Sequence, residues 1–201
     1  MDLELIHKKA FNSLPIIIQA ILSDFTKSYI LGGFGISHLR GETPKDIDLF
    51  VPHVIACEVL ERLSGHLILP FRIYDIIDSC HVGKILIEGI EIDLVSFGPE
   101  FNPKTHSDFH CRMVQFTKES FVFPTLCSRQ DIRDGKLRYN NEYKLLTRIV
   151  DLVHDTLLQR NKGDSMISGY ECSTLTTLTM NVEKYKSRGW VVLIDLIPSQ
   201  I

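Results

Sequence analysis

The sequence predicts an α/β (α+β) domain, a mixed β-sheet flanked by helices, followed by a C-terminal helical appendage. Apolar, β-branched runs at residues 29–31, 46–51 and 83–97 read as strands. Segments of helical periodicity lie between and around them. The tight turn at Glu88-Gly89 joins two of the strands into an antiparallel hairpin. Residues 1–140 are expected to form the main domain and 141–201 the appendage.

The elements follow in order. Residues 3–22 have helical spacing broken at Ser13-Leu14-Pro15, where the proline can open a second helix. Residues 29–31 start the sheet, and a strand carrying Asp46 and Asp48 follows. The segment from Pro52 to Gly65 has Val54, Cys57, Val59, Leu60 and Leu63 at helical intervals, with Gly65 as its expected stop. Residues 67–77 form an apolar run interrupted by Pro70, which suits a bent or edge strand. A second hairpin is expected over 113–116 and 120–123. A short helix leading into Lys-x-Leu-Arg is expected over 131–138, and a long amphipathic helix over 143–158.

Composition bounds the class. The 201 residues can bury a real core, and 44% hydrophobic with 23% charged residues suits a folded globular chain. A net charge of −3 lacks the basic excess that accompanies binding along a phosphate backbone. Five cysteines, an odd number without CxxC spacing, argue against a disulfide framework and a zinc site. With no long apolar run and a charged N-terminus, a cytoplasmic protein without membrane contact is expected.

The chemistry concentrates in residues 29–51, YILGGFGISHLRGETPKDIDLFV. Side chains two apart on a strand share a face, so Asp46 and Asp48 project together while Ile47 and Leu49 face the core. Two such charges at roughly 4 Å repel by about 4 kcal/mol at an effective dielectric of about 20. Either a hard divalent cation such as Mg²⁺ offsets this, or solvent at an exposed strand end does. Gly32-Gly33 directly follows an apolar strand, and its missing side chains let backbone N–H groups approach a ligand. The short helix after it would favour an anion at its start. Phosphates at the glycines and a metal at the acids would bring together one nucleoside triphosphate and its ion.

An apolar residue, Gly-Gly, twelve residues, then Asp-Ile-Asp resembles the signature of polymerase-beta type nucleotidyltransferases. Within that superfamily, GGFGISHLRGETPKDIDLFV most resembles the head domain of tRNA CCA-adding enzymes and bacterial poly(A) polymerases. The match lies at Gly32, Gly33, Gly41, Pro44, Lys45, Asp46 and Asp48. It departs at Ile36-Ser37, where that family has Arg-Asp and its arginine helps hold the triphosphate. The resemblance covers about residues 29–138 and fades after the first motif. Ser37 is then either a hydroxyl donor to phosphate or a helix-surface serine. Arg40 is either a positive fork reaching round to the nucleotide or a solvated side chain.

The resemblance implies a third carboxylate on a neighbouring strand. In GKILIEGIEIDLVSF, Asp93 stands between Ile92 and Leu94 on the face it shares with Glu91, and Asp93 is the candidate over Glu91. It further implies that Gly32 and Gly33 cradle phosphates and that Asp46, Asp48 and Asp93 are the catalytic metal ligands for Mg²⁺ or Mn²⁺. An NMP would pass from an NTP, ATP or CTP, to a hydroxyl, releasing pyrophosphate.

The acceptor stays open. An RNA or tRNA 3′ end follows from the head-domain resemblance, whereas a protein or small-molecule hydroxyl follows from the mild acidity and short chain. The 201 residues are expected to lack the long neck, body and tail of CCA-adding enzymes. A non-catalytic nucleotide-binding or regulatory module is a further reading. His106, Asp108 and His110 could hold a metal but fall across an expected loop. Arg148 and Asp151 either contact a base or face solvent on their helix, and His154 reads as packed or surface histidine.

Overall fold

The computed structural model describes residues 2–69, 75–76, 79–103, 107, 109–123, 126–138, 140 and 180–193. The expected helix over 143–158, with Arg148, Asp151 and His154, lies outside them. So do His106, Asp108 and the side chain of His110.

Two helices, α1 (Leu3–Asn12) and α2 (Ile16–Asp24), open the chain. Asp2 caps the first, accepting from the Glu4 and Leu5 N–H groups, and Pro15 stands at the N-cap of the second. Strand β1 (Tyr29–Leu31) is buried throughout and leads through the glycine pair into α3 (Gly33–Arg40). Gly41, at φ 74°, ends α3 in the left-handed conformation that glycine adopts without strain. Strand β2 (Asp46–Pro52) and helix α4 (His53–Leu63) follow. The helix stops at Ser64, one residue ahead of the glycine expected to end it, and the Ser64 hydroxyl donates to the Glu61 carbonyl at 2.7 Å.

The described parts of the apolar run after α4 are β3 (Leu67–Ile68), at the edge of the sheet, and β4 (Asp75–Ile76), and both pair antiparallel with β5 (Ser79–Ile87). Strand β6 (Ile90–Phe97) returns antiparallel to β5 through Glu88 and Gly89, both at positive φ, the pattern of a tight two-residue hairpin turn. After a 3₁₀ turn (His110–Met113) come β7 (Gln115–Phe116) and β8 (Phe121–Val122). Helix α5 (Leu126–Asp134) runs into β9 (Lys136–Arg138). A helix over 180–186, α6, precedes β10 (Val191–Leu193).

Among the described residues eight strands form one sheet, in the order β3-β5-β6-β2-β1-β7-β8, with β4 also on β5. Its pairings are antiparallel except β2 with β6, which is parallel. The sheet is therefore mixed and flanked by helices, the α/β architecture that the sequence predicts. A second, two-stranded parallel sheet joins β9 to β10, bringing the last described strand back onto the main body.

Alternation along β2 sorts its side chains: Ile47, Leu49 and Val51 are buried in the core, and Asp46, Asp48 and Phe50 point the other way. The core beside β1 and β7 is aromatic. Phe116 lies 5.1 Å from Phe34, 5.2 Å from Phe121 and 4.8 Å from the His7 ring, centroid to centroid. Phe116 thus joins α1, α3 and β8, and α3 is the helix that follows the glycine pair. Phe116→Ala should cost about 3–5 kcal/mol, from lost burial and the cavity left behind, read as the shift in urea unfolding. Phe116→Leu, which keeps most of the volume, should cost less than half as much.

Candidate active site

Gly32 carries φ +77°, which turns the chain sharply from β1 into α3. Its N–H donates to the Val114 carbonyl at 3.1 Å, so the turn is anchored to the segment that begins β7. A Cβ on Gly32 would lie 3.9 Å from Asp48 Oδ2, and one on Gly33 would lie 3.7 Å from Asp46 Oδ1. The glycine pair and the Asp-x-Asp pair therefore face each other across β1 and β2, which run antiparallel with Leu31 opposite Asp48.

The parallel register of β2 and β6 brings up the third acid. Asp48 pairs with Asp93 and Asp46 with Glu91, so all four carboxylates lie on one face of two adjacent strands. On the far side of β6, Lys84 of β5 stands opposite Asp93. Its ammonium forms an ion pair with Glu91 and lies 3.8 Å from Asp93 Oδ2. The hydrogen bond that it donates to Glu91, foremost, raises the Lys84 pKa, so this cation stays charged beside the acids.

Burial above all, then the charges of Asp46 and Asp93, push the Asp48 pKa up to about 6, against a downward pull from Arg112 and Lys184.

Ser37, largely buried, lines the cleft along with Gly33, Asp46 and Asp48. Arg40 does not line it. Its guanidinium bonds Glu42 at 2.8 Å and stacks 4.7 Å above the Trp190 ring, so it joins α3 to the C-terminal segment instead. Four cationic side chains do face the cleft: Lys45, Arg112, Lys184 and Arg188. Only Lys45 belongs to the stretch that the sequence reading singled out. Arg112 sits in the segment after the third acid, while Lys184 and Arg188, four residues apart at α6, reach the site only because the chain folds back. That spacing was the one available signal. The cleft measures about 590 Å³.

Among the described residues, no three His, Cys, Asp or Glu side chains are gathered closely enough to hold a metal ion as they stand. Asp93 is turned partly toward Lys84. The donor chemistry of Asp46 and Asp48 nevertheless fits Mg²⁺, which takes one or two carboxylates together with substrate phosphates. Gly33 leaves the approach to Asp46 open.

No family model matches the chain, and no curated protein matches it. Solved structures do. A CCA-adding enzyme in complex with ATP aligns with a TM-score of 0.49 at 18% identity, over 94% of this chain and 48% of that one. The Thermotoga maritima CCA-adding enzyme complexed with tRNA aligns with a TM-score of 0.48 at 18% identity, over 90% and 46%. The Bacillus stearothermophilus CCA-adding enzyme in complex with CTP aligns with a TM-score of 0.43 at 15% identity, over 64% and 35%. The chain thus spans 35% to 48% of the length of these structures. No helix among the described residues is long and apolar enough to cross a membrane.

The raised pKa of Asp48 has a measurable sign. Between its unfolded value of 3.8 and its folded value of about 6, the native protein holds a proton that the unfolded chain releases. Stability from this group is therefore present at low pH and lost as pH rises through that window, by on the order of 3 kcal/mol. Asp48→Asn should be more stable than the native sequence near pH 7 and should flatten this slope. Urea unfolding at about pH 4 and pH 7 measures both effects.

Proposed function

We propose that this chain is a metal-dependent nucleotidyltransferase that moves a nucleoside monophosphate from ATP or CTP to the 3′ hydroxyl of an RNA. The observation that carries the reading is one arrangement: Gly32-Gly33 facing Asp46 and Asp48, with Asp93 in register beside Asp48. A structural role accounts poorly for it, because clustered like charges destabilise the fold unless a ligand uses them.

The Gly33 N–H at the start of α3 approaches the β- and γ-phosphates while the Gly32 N–H stays on the Val114 carbonyl and holds the turn, and Ser37 offers its hydroxyl from the same wall. Asp46 and Asp48 would hold the divalent ion on the triphosphate, with Asp93 contributing after leaving Lys84. When bound, that ion offsets charge on the triphosphate and on the departing pyrophosphate. The acceptor oxygen bonds to the α-phosphorus as the bond from that phosphorus to the bridging oxygen of pyrophosphate breaks. Asp93 takes the acceptor's proton, a role that needs hydrogen-bond reach of about 3 Å.

The RNA acceptor rests on the head-domain motif of residues 32–48. Incubation with Mg²⁺, each α-labelled NTP and total tRNA tests it, with a parallel incubation lacking acceptor. Label on tRNA 3′ ends is the expected result and identifies the base. Label on the protein itself moves the acceptor to a protein hydroxyl, and no label anywhere overturns the transfer reading.

Asp48→Asn should lower transfer by about a thousandfold or more, since loss of ion-based charge stabilisation costs several kcal/mol at about 1.4 kcal/mol per factor of ten. Calorimetric titration of Mg²⁺ or Mn²⁺ should show weakened binding in the same variant, and unchanged binding would remove Asp48 from the ligand set.

A further inference from the structure

The cations of the cleft come from an unexpected part of the chain. Tyr185 and Trp190 are buried in the core cluster, where Tyr185 packs edge-on to Phe109 at 5.9 Å and to Trp190 at 5.3 Å. Val191 N–H donates to the Gly135 carbonyl at 2.9 Å, and β10 continues the pairing along β9. Arg40 stacks on Trp190 from α3. These contacts dock residues 180–193 on the body, and the docking aims Lys184 and Arg188 into the cleft that Asp46 and Asp48 line.

Charge pairing separates these two cations from their neighbours. Lys186, on the same helix, pairs with Glu183 at 3.1 Å, Lys136 with Asp134 at 3.0 Å, and Arg138 with Asp131 at 2.8 Å. Among the described residues neither Lys184 nor Arg188 has a carboxylate within 4.0 Å, although both line a cleft that holds Glu42, Asp46 and Asp48. Glu42, also on the lining, is engaged by Arg40. Lys184 and Arg188 thus bring positive charge to the same cleft as Asp46 and Asp48, which suits a nucleoside triphosphate carrying one divalent ion.

We infer that the docked C-terminal segment supplies polyphosphate-binding charge to this site through Lys184 and Arg188. The inference rests on the nucleotidyl-transfer reading and deepens it. Lys184 and Arg188 share the cleft with Gly33, Arg188 offering a planar fork and Lys184 a point charge. The ligand class is a metal-complexed polyphosphate, recognised apart from its base.

Calorimetric binding of inorganic tripolyphosphate and of ATP, each with Mg²⁺, tests this on the full chain. Lys184→Gln with Arg188→Gln should weaken both ligands by the same factor, about tenfold or more, as expected for lost charge-assisted hydrogen bonds. Lys186→Gln on the same helix should leave both affinities unchanged, and Arg188→Lys should restore part of the loss. Both side chains are exposed, so the melting temperature should hold; if the double variant unfolds, the single variants carry the test, each expected to weaken binding about threefold or more. Unchanged tripolyphosphate binding in a folded variant overturns the inference and leaves the transfer reading standing. Loss of single-stranded RNA binding with tripolyphosphate binding intact also overturns it, assigning the two cations to the acceptor. Failure of the native sequence to bind either phosphate ligand removes both readings together.

Discussion

Mutual repulsion among Asp46, Asp48 and Asp93 is the constraint around which the centre of this protein is arranged. Alternation along β2 and its parallel register with β6 force the three carboxylates onto one face. The protein answers that crowding with cations on two sides. Lys84 approaches from β5, against Glu91 and Asp93, while Arg112 and Lys184 lower the Asp48 pKa from the cleft. Neither answer is complete, since Asp48 still titrates near neutrality, at about 6. A site left partly uncompensated is one that an incoming cation stabilises on binding.

The two ends of β2 serve different purposes. Its acidic end meets the glycine turn, and its far end carries Phe50, stacked with Tyr29 at 5.6 Å and with Phe101 at 5.4 Å. Burial raises the Tyr29 pKa far above its ordinary value, so its phenol stays protonated as a packing element. Strand β2 is thereby held by aromatic contact at one end and left open to a ligand at the other.

Local signals made much of this legible. The strand periods, the Gly-Gly turn, the Glu88-Gly89 hairpin and the pairing of Asp46 with Asp48 are set by residues within a few positions of one another. Asp93 was legible for a related reason, because an acid among apolar strand residues needs an unusual neighbour. Arg40 was harder to place: its proximity in sequence to the glycines suggested the ligand, but Glu42 and Trp190 offered a carboxylate and an aromatic face. Trp190 lies 150 positions away in the chain. Lys184 and Arg188 belong to the same class of long-range consequence, visible only once Tyr185 and Trp190 have found the core. Pro70 within the apolar run after α4 pointed to an edge strand for a local reason as well, and β3 lies at the edge of the sheet.

The parallel pairing of β9 with β10 has a kinetic side. Bringing Arg138 alongside Leu193 from the unfolded chain closes a loop of about 50 residues, an entropic cost on the order of 3–4 kcal/mol that local contacts do not repay. The antiparallel hairpin of β5 and β6 closes across two turn residues and forms early by comparison. Acids and glycines can thus be in place before Lys184 and Arg188 arrive. A cleft completed in that order exposes its acidic half first and gains its balancing cations only once Tyr185 and Trp190 have entered the core.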